Sequence, residues 1–324
     1  MNSFYNSKSP IPWPAAPTPG KISRLKDGLA RFRAAFAFRL KYWFKPPPRP
    51  ADGVTFCIAH FNSPEILNVT LHALRHFYPG SRVIVADAVS EWSQGRLAGQ
   101  ICAHYQVEWH PLAANHRHTG LLNYLFRQIS TPTGIFLDQD CVLLDTLDDL
   151  IKELGQGRAL IGPSDEMRMT HPNLGRVYPE MMNKLLRVHA QYIHASIMLL
   201  HVPTVRGWSR FHPFTWDGKL GPQVGERYYG ITQLIRARRP EAILALENGH
   251  SAYGLGTVYL HAGRPVAYHN WYSGQIYGQH RKMDKICDAD WLRAEMARFI
   301  KDYWAGSLNL DLQGIPGPGT NARP

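Results

Sequence analysis

The hydrophobic and polar positions of residues 54–162 follow two alternating patterns. Short apolar runs, such as residues 54–59 and 82–86, are typical of strands buried in a sheet. The segments between these runs place apolar residues three or four positions apart, as amphipathic helices do. Because strands that alternate with helices form parallel sheets covered on both faces, the pattern predicts an α/β fold with a mainly parallel sheet flanked by helices.

Turn and capping residues divide the chain into further elements. Ser63-Pro64-Glu65 has the composition of a helix start, with a capping residue, a first-turn proline and an acid. Beyond residue 162 the pattern is less regular, which predicts a smaller mixed region. The other predicted elements are helices at 94–104, 119–129 (capped by Thr119), from Thr146, at 179–190, 227–238 and 288–304, strands at 107–110, 134–137, 193–201, 242–246, 257–261 and 265–268, and loops at 163–178 and 207–221.

The first 50 residues form a basic arm. They contain ten Lys or Arg residues and one acid, so they carry +9 of the net charge of +11. Residues 22–43 repeat apolar positions at helical spacing with basic residues between them, a profile typical of helices at a membrane surface. Packing of the same face on the protein's own core is the alternative, and the sequence leaves both open. The rest of the chain shows no basic groove or nucleic-acid-binding motif, so no nucleic-acid partner is expected.

Composition indicates a globular protein of the cytoplasm. No apolar run approaches the roughly 18 residues of a membrane span, and the N-terminus lacks a secretory-signal pattern. The four cysteines are too widely spaced for a paired zinc or redox motif, so we expect free thiols. We therefore expect a cytoplasmic protein, which is peripheral at the cytoplasmic face of a membrane if residues 21–45 bind anionic lipid.

Asp138-Gln139-Asp140, which follows the apolar run 134–137, carries the most chemical information. Ligands of open α/β sheets bind at the carboxyl edge, where this strand delivers two carboxylates one residue apart. Two such groups repel unless a cation neutralises them, and Mg²⁺ and Mn²⁺ take oxygen ligands of this kind. Because Mg²⁺ held by carboxylates usually completes its shell with substrate phosphates, the triplet indicates a metal-bound phosphate ester. An ordinary acidic turn is the alternative.

The order of four segments resembles the nucleotide-binding half of GT-A glycosyltransferases, in particular the family 2 type. The first strand ends in Ile58-Ala59-His60-Phe61-Asn62, and the second ends at Asp87. A loop at 115–123 then precedes a strand that ends in the Asp-x-Asp triplet. The resemblance covers residues 54–145 well and the remainder loosely.

The resemblance implies which residues bind the nucleotide. His60 and Asn62 would lie in the turn that cradles the base, and Asp87 would accept hydrogen bonds from the nucleoside. Gly120 and Asn123 would form the helix entry beside the nucleotide. His60 stands where the family commonly has a Tyr or a Pro-flanked turn, which leaves the identity of the base open. For Asp87, a polar strand end that caps the next turn is the alternative.

The resemblance also implies the ligands of a Mn²⁺ or Mg²⁺ ion. Asp138 would contact the ribose or a metal-bound water, and Asp140 would ligate the ion that bridges the diphosphate. The family often adds a histidine near the end of the catalytic domain, and His269 fits that position, with a structural role as the alternative. Arg281 and Lys282 could reach the diphosphate or belong to a solvated basic loop.

An inverting transferase needs a carboxylate that takes the proton from the attacking acceptor hydroxyl. The family often supplies this group from an acidic pair before a helix, and this chain has no such pair. Glu226 and Asp217 are the candidates, with Asp165 and Glu166 after them. Glu226 is equally well placed as a first-turn acid that favours the helix dipole, and a retaining mechanism stays open.

These features predict a metal-dependent glycosyltransferase that moves a sugar from a nucleotide sugar, expected to be a UDP-sugar, to a hydroxyl acceptor by an inverting mechanism. A membrane-linked or envelope glycan is the expected acceptor if the arm binds a membrane. A nucleotidyltransferase is the second enzyme hypothesis, although the first loop lacks the Gly-rich basic sequence that grips a triphosphate. A catalytically inactive membrane-associated scaffold is the alternative outside the enzymes.

The predicted domain boundaries follow from these assignments. Residues 1–50 are a disordered basic arm with an amphipathic helix, and residues 51–285 are the GT-A catalytic domain. Within that domain, residues 54–145 are the nucleotide-binding half and residues 146–285 the acceptor half. Residues 286–324 are a C-terminal helix and a disordered tail.

Overall fold

The computed structural model describes residues 51–87, 90, 92–112, 118–164, 173, 176, 193–209, 214, 229–271 and 288–310. The predicted arm at residues 1–50, the helix at 179–190 and the tail after residue 310 lie outside this part of the chain. Within the described ranges, no helix is both long enough and apolar enough to cross a bilayer.

The first half of the described chain alternates strands and helices. Its elements are β1 (Val54–His60), α1 (Pro64–Phe77), β2 (Arg82–Asp87), α2 (Trp92–His104), β3 (Glu108–Pro111), α3 (His118–Gln128) and β4 (Thr133–Asp138). The four strands are all parallel and lie side by side in the order β3-β2-β1-β4. Parallel strands need a crossover between them, and the three helices supply it.

The second half continues the same sheet with mixed strand directions. Its elements are β5 (Cys141–Leu143), α4 (Asp148–Gly155), β6 (Leu160–Pro163), β7 (Ile197–His201), α5 (Val202–Ser209), α6 (Tyr229–Arg236), β8 (Ile243–His250), β9 (Thr257–His261), β10 (Arg264–His269) and α7 (Ala289–Ala305). The full strand order is β3-β2-β1-β4-β7-β6-β8-β9-β10-β5. β7 runs antiparallel to both β4 and β6, and β9, β10 and β5 add an antiparallel edge. The predicted α/β fold, with a parallel first half and a mixed second region, is confirmed.

Several elements differ from the sequence-based prediction. Residues 202–209 form α5, although a loop is predicted from residue 207, because Val202 and Val205 are buried on the apolar face below the sheet. Pro203 fits there because a first helical turn needs no donor at that position. The strand predicted from residue 193 begins only at Ile197, since a turn precedes it. α3 already includes Thr119, so this residue does not cap it.

The core lies on both faces of the sheet because successive side chains of a strand point to opposite faces. In β1, Phe56 and Ile58 belong to the cluster that packs under α1, α2 and α7. Cys57 belongs to the cluster that packs under α3, α5 and α6. Cys57, Cys102 and Cys141 are free and buried, as predicted, while Cys287 lies outside the described residues.

We expect the side chain of Arg75 to be a large single contributor to stability. Its guanidinium donates to the carbonyl oxygens of Ser81, Tyr105 and Gln106 at 2.7, 2.9 and 3.0 Å, which ties the end of α1 to the end of α2. Arg75→Met leaves these carbonyls without their charged donor and should lower the free energy of unfolding by about 2–3 kcal/mol. Urea denaturation measures the loss. Arg96→Met, at an exposed position of α2, is the control and should change stability by less than about 0.5 kcal/mol.

Candidate functional site

The ends of three parallel strands place the predicted nucleotide and metal residues at one edge of the sheet. The register between β1 and β2 pairs His60 with Asp87, and the register between β1 and β4 pairs Ala59 with Asp138. His60, Asp87 and Asp138 therefore end adjacent strands at the carboxyl edge, with a register offset of at most one residue. This edge is where ligands bind in open α/β sheets.

The short strand β5 brings His269 to the same place. β5 begins directly after Asp140 and pairs antiparallel with β10, so that Cys141 lies opposite His269. The backbone N–H of Asn270 then donates to the carbonyl oxygen of Asp140 at 2.9 Å. This three-residue strand therefore brings together Asp140 and His269, which are more than one hundred residues apart in the sequence.

Asp138, Asp140 and His269 form a compact group of potential metal ligands. One ligand atom from each side chain lies within 4.8 Å of the others. His269 Nε2 is 3.3 Å from Asp140 Oδ1 and 3.7 Å from Asp138 Oδ2. At 4.8 Å or less, two carboxylate charges in an effective dielectric of about 20 repel by at least about 3.5 kcal/mol. An arrangement that holds these groups together is therefore stabilised by a cation.

The donor set fits a divalent cation that takes oxygen and nitrogen ligands. Two carboxylates and one imidazole suit Mn²⁺ well and allow Mg²⁺. The Asp138 side chain is 19% exposed whereas that of Asp140 is 6% exposed, so the group opens to solvent on the side of Asp138. Burial raises the pKa of the Cys141 thiol well above its usual range, and the two carboxylates raise it further.

The side of His269 that faces away from the acids is held by residues that the sequence analysis does not identify. Its Nδ1 lies 3.1 Å from Tyr259 Oη, and this hydroxyl lies 2.7 Å from Ser196 Oγ. Trp271 is buried with its ring centroid 4.1 Å from that of His269. Its Nε1 donates to Thr257 Oγ1 at 2.9 Å. Thr257 and Tyr259 are two positions apart in β9, so they lie on one face of the strand. This spacing is the feature of the sequence that could have placed them together beside His269 and Trp271.

Gln139 points away from the acidic pair and links it to the end of β1. Its Oε1 accepts from the backbone N–H of Phe61 at 2.5 Å, and its Nε2 donates to the Phe61 carbonyl at 2.9 Å. The Gln139 carbonyl accepts from Thr70 Oγ1 of α1 at 2.7 Å. The residue between the two acids is therefore a structural link between the metal group and the predicted base-binding turn.

His60 and Asp87 form a buried pair with Ser90. His60 Nδ1 donates to Asp87 Oδ1 at 2.9 Å, and the backbone N–H of Ser90 donates to Asp87 Oδ2 at 3.1 Å. The Ser90 hydroxyl also donates to Asp87 Oδ1. A carboxylate offers about four acceptor positions, so these contacts leave about one for a further donor. His60 is fully buried, so its side chain acts on this edge through Asp87.

The remaining predicted nucleotide-binding residues differ in their location and contacts. Asn62 is buried in a left-handed backbone conformation, with φ of 53°, and its N–H donates to Ser90 Oγ at 2.8 Å. Gly120 lies in the first turn of α3. The Asn123 amide is turned to the backbone of Phe214, from which its Oδ1 accepts at 3.0 Å while its Nδ2 donates to the carbonyl. Asn123 therefore holds a neighbouring segment.

The candidates for the catalytic base lie outside the described residues. These are Glu226 and Asp217, together with Asp165 and Glu166. The same is true of Arg281 and Lys282, the predicted diphosphate contacts. Of the predicted site residues, the described part of the chain thus contains those expected to bind the metal and the nucleoside.

A surface cavity of about 440 Å³ lies away from this site, lined by residues that include Asp52, Tyr78, Arg82 and Thr131. It opens at the amino edge of the sheet, where β1 and β2 begin. None of the predicted site residues lines it. Position at the carboxyl edge, rather than cavity size, therefore identifies the functional site.

Comparison with known proteins finds similarity only at the level of solved structures. No protein-family model matches the chain, and no curated protein matches it. The mannosyltransferase PcManGT from Pyrobaculum calidifontis, in complex with GDP-Man and Mn²⁺, is 14% identical over 87% of this chain and 88% of that chain, with a TM-score of 0.41. Mouse xyloside xylosyltransferase 1 is 15% identical over 61% and 86%, with a TM-score of 0.38. Glucosyl-3-phosphoglycerate synthase from Mycobacterium tuberculosis is 12% identical over 66% and 72%, with a TM-score of 0.38. At such low identities and TM-scores, the function has to be argued from the site itself.

The link between Gln139 and Phe61 gives a test of the site's construction. Gln139→Ala removes the partner of one backbone donor and one backbone acceptor in a half-buried turn, and we expect the free energy of unfolding to fall by about 1–3 kcal/mol. Urea denaturation measures this change. Gln100→Ala, at an exposed position of α2, should change stability by less than about 0.5 kcal/mol. Equal stability of the two variants would contradict a structural role for Gln139.

Proposed function

We propose that this chain is a metal-dependent GT-A glycosyltransferase, which moves a sugar from a nucleotide sugar to a hydroxyl acceptor. The observation that carries the proposal is the group of Asp138, Asp140 and His269 at the carboxyl edge, next to the ends of β1 and β2. The sequence resemblance of residues 54–145 to the family 2 type supports the same conclusion. The catalytic domain is proposed to span residues 51–285.

Each of the three ligand residues has a separate task in this proposal. Asp140 and His269 are the more buried members, and they would hold a Mn²⁺ or Mg²⁺ ion. The bound cation supplies Lewis-acid neutralisation of the charge that develops on the departing nucleoside diphosphate. Asp138, on the solvent side of the group, would face the donor and contact its ribose or a metal-bound water.

The nucleoside would lie across the ends of β1 and β2. Asp87 retains about one acceptor position, which suits a single hydrogen bond from the nucleoside. His60 and Ser90 hold that carboxylate in place, and Asn62 shapes the turn beside it. We propose a UDP-sugar as donor on the basis of the family resemblance.

The acceptor side of the proposal rests on sequence alone. Glu226, or else Asp217, would take the proton from the acceptor hydroxyl as it attacks the anomeric carbon with inversion. The acceptor is proposed to be a membrane-linked or envelope glycan, with residues 21–45 holding the enzyme at an anionic membrane surface. The reaction would then take place at the cytoplasmic face.

Asp140→Asn tests the proposed metal site. The variant keeps the side-chain volume but removes one ligand charge, so it should fold and lose the rise in melting temperature that Mn²⁺ with UDP gives the wild-type protein. Calorimetry should show Mn²⁺-dependent UDP binding weakened at least about tenfold. Asp290→Asn is the control, because that side chain is 95% exposed on α7. If Asp140→Asn binds as the wild type does, the metal assignment is wrong. A response to nucleoside triphosphates alone would favour the nucleotidyltransferase hypothesis.

Glu226→Gln tests the proposed base. Loss of the proton acceptor should reduce turnover of a radiolabelled UDP-sugar by about 10²–10⁴-fold, while donor affinity stays near the wild-type value. Asp217→Asn is measured in parallel under the same conditions. A near-normal rate for Glu226→Gln with a slow Asp217→Asn would move the assignment to Asp217.

A further inference from the structure

Tyr259 connects the candidate metal group to a buried serine. Its hydroxyl oxygen lies 3.1 Å from His269 Nδ1 and 2.7 Å from Ser196 Oγ. Tyr259 is 1% exposed and Ser196 is fully buried, so solvent does not replace these contacts. The nitrogen that faces the two carboxylates is the other one, Nε2.

The tautomer of His269 decides whether this ring binds a cation. A neutral imidazole carries its hydrogen on one nitrogen and a lone pair on the other. Because Nε2 faces Asp138 and Asp140, a metal-binding ring must carry the hydrogen on Nδ1. In this buried site the acceptor for Nδ1–H is Tyr259 Oη, which in turn donates its own hydrogen to Ser196 Oγ. Hydrogen bonds then run from His269 to Tyr259 to Ser196.

The same three residues also suit the ring without a cation. With the hydrogen on Nε2, the imidazole donates to Asp140 Oδ1, which lies 3.3 Å away. Nδ1 then accepts from the Tyr259 hydroxyl, and Tyr259 Oη accepts from the Ser196 hydroxyl. Hydroxyl groups both donate and accept, so the change of direction needs rotation of two O–H bonds and no displacement of heavy atoms.

The choice of tyrosine matters for the charge of the site. Metal-binding histidines commonly donate their second N–H to a carboxylate, a backbone carbonyl or water. A carboxylate at this position would add a third negative charge to a group that already holds two. A tyrosine hydroxyl provides the acceptor without adding charge. Trp271 packs against the same imidazole and limits its rotation.

We propose that Tyr259 is a positioning residue, which with Ser196 behind it accepts the Nδ1 hydrogen of His269 and so supports the tautomer that presents Nε2 to the divalent cation. This inference rests on the proposed function, because it assumes that Asp138, Asp140 and His269 bind a metal. It assigns an indirect part in metal affinity to Tyr259 of β9 and to Ser196, which immediately precedes β7.

Mn²⁺ affinity of the full chain, measured by calorimetry without nucleotide, tests this inference. Tyr259→Phe keeps the ring and removes the acceptor, so binding should weaken by about 10–100-fold. Ser196→Ala removes only the second hydroxyl and should give a smaller loss. Tyr253→Phe is the matched control, because this buried tyrosine donates to Asp302 instead, at 2.9 Å, and its loss should leave Mn²⁺ affinity unchanged. Melting temperatures without metal are measured on the same preparations.

The outcomes separate the inference from the proposed function. If the wild-type chain binds no Mn²⁺, the proposed metal site fails and the inference fails with it. If the wild type binds Mn²⁺ and Tyr259→Phe binds equally well, only the inference is overturned. If Tyr259→Phe and Tyr253→Phe lose affinity to the same extent, the effect is general loosening of the fold, and this also overturns it. The inference is supported if Mn²⁺ affinity is lowest for Tyr259→Phe, intermediate for Ser196→Ala and unchanged for Tyr253→Phe.

Discussion

The repulsion between two carboxylates, fixed one residue apart at the end of a buried strand, is the constraint on which this site depends. Asp138 ends β4, and Asp140 precedes β5, so the chain cannot relax by separating them. At an effective dielectric of about 20, a Coulomb repulsion of about 3.5 kcal/mol opposes their approach when no cation is bound. Backbone hydrogen bonds support this arrangement from both sides. The carbonyl of Ser196 accepts from the N–H of Asp138, and the N–H of Asn270 donates to the carbonyl of Asp140.

The same turn connects the two groups of predicted site residues at the carboxyl edge. While Asp138 and Asp140 face the metal group, Gln139 faces the opposite way and binds both backbone groups of Phe61. The next residue, Asn62, donates to Ser90, and Ser90 donates to Asp87. A continuous path of hydrogen bonds and backbone therefore joins the acidic pair to Asp87 at the carboxyl end of β2.

Local pattern is sufficient to predict the parallel half of the sheet, because β1, β2 and β4 are largely apolar and helices with apolar residues at helical spacing lie between the strands. The mixed half depends on contacts that no local pattern encodes. β5 has only Cys141–Leu143, too few residues for a periodic signal, yet its pairing with β10 determines where His269 lies. The strand at 257–261 was predictable, but the register that turns Tyr259 toward His269 was not. Likewise, α5 is helical because Val202 and Val205 pack under the sheet, which is a tertiary effect.

The charges of the proposed metal group indicate which further residues the proposed donor site needs. The two carboxylates would offset a divalent cation, and the neighbouring Tyr259 hydroxyl and Trp271 indole add no charge. The cation group is then near neutral, so the negative charge of a bound diphosphate is not offset by these residues. Under the proposed function, positive side chains from another segment would approach the diphosphate, as Arg and Lys commonly do at phosphates. Arg281 and Lys282 follow β10 by about a dozen residues, and under the proposed function they are the candidates for this contact, with a solvated basic loop as the alternative.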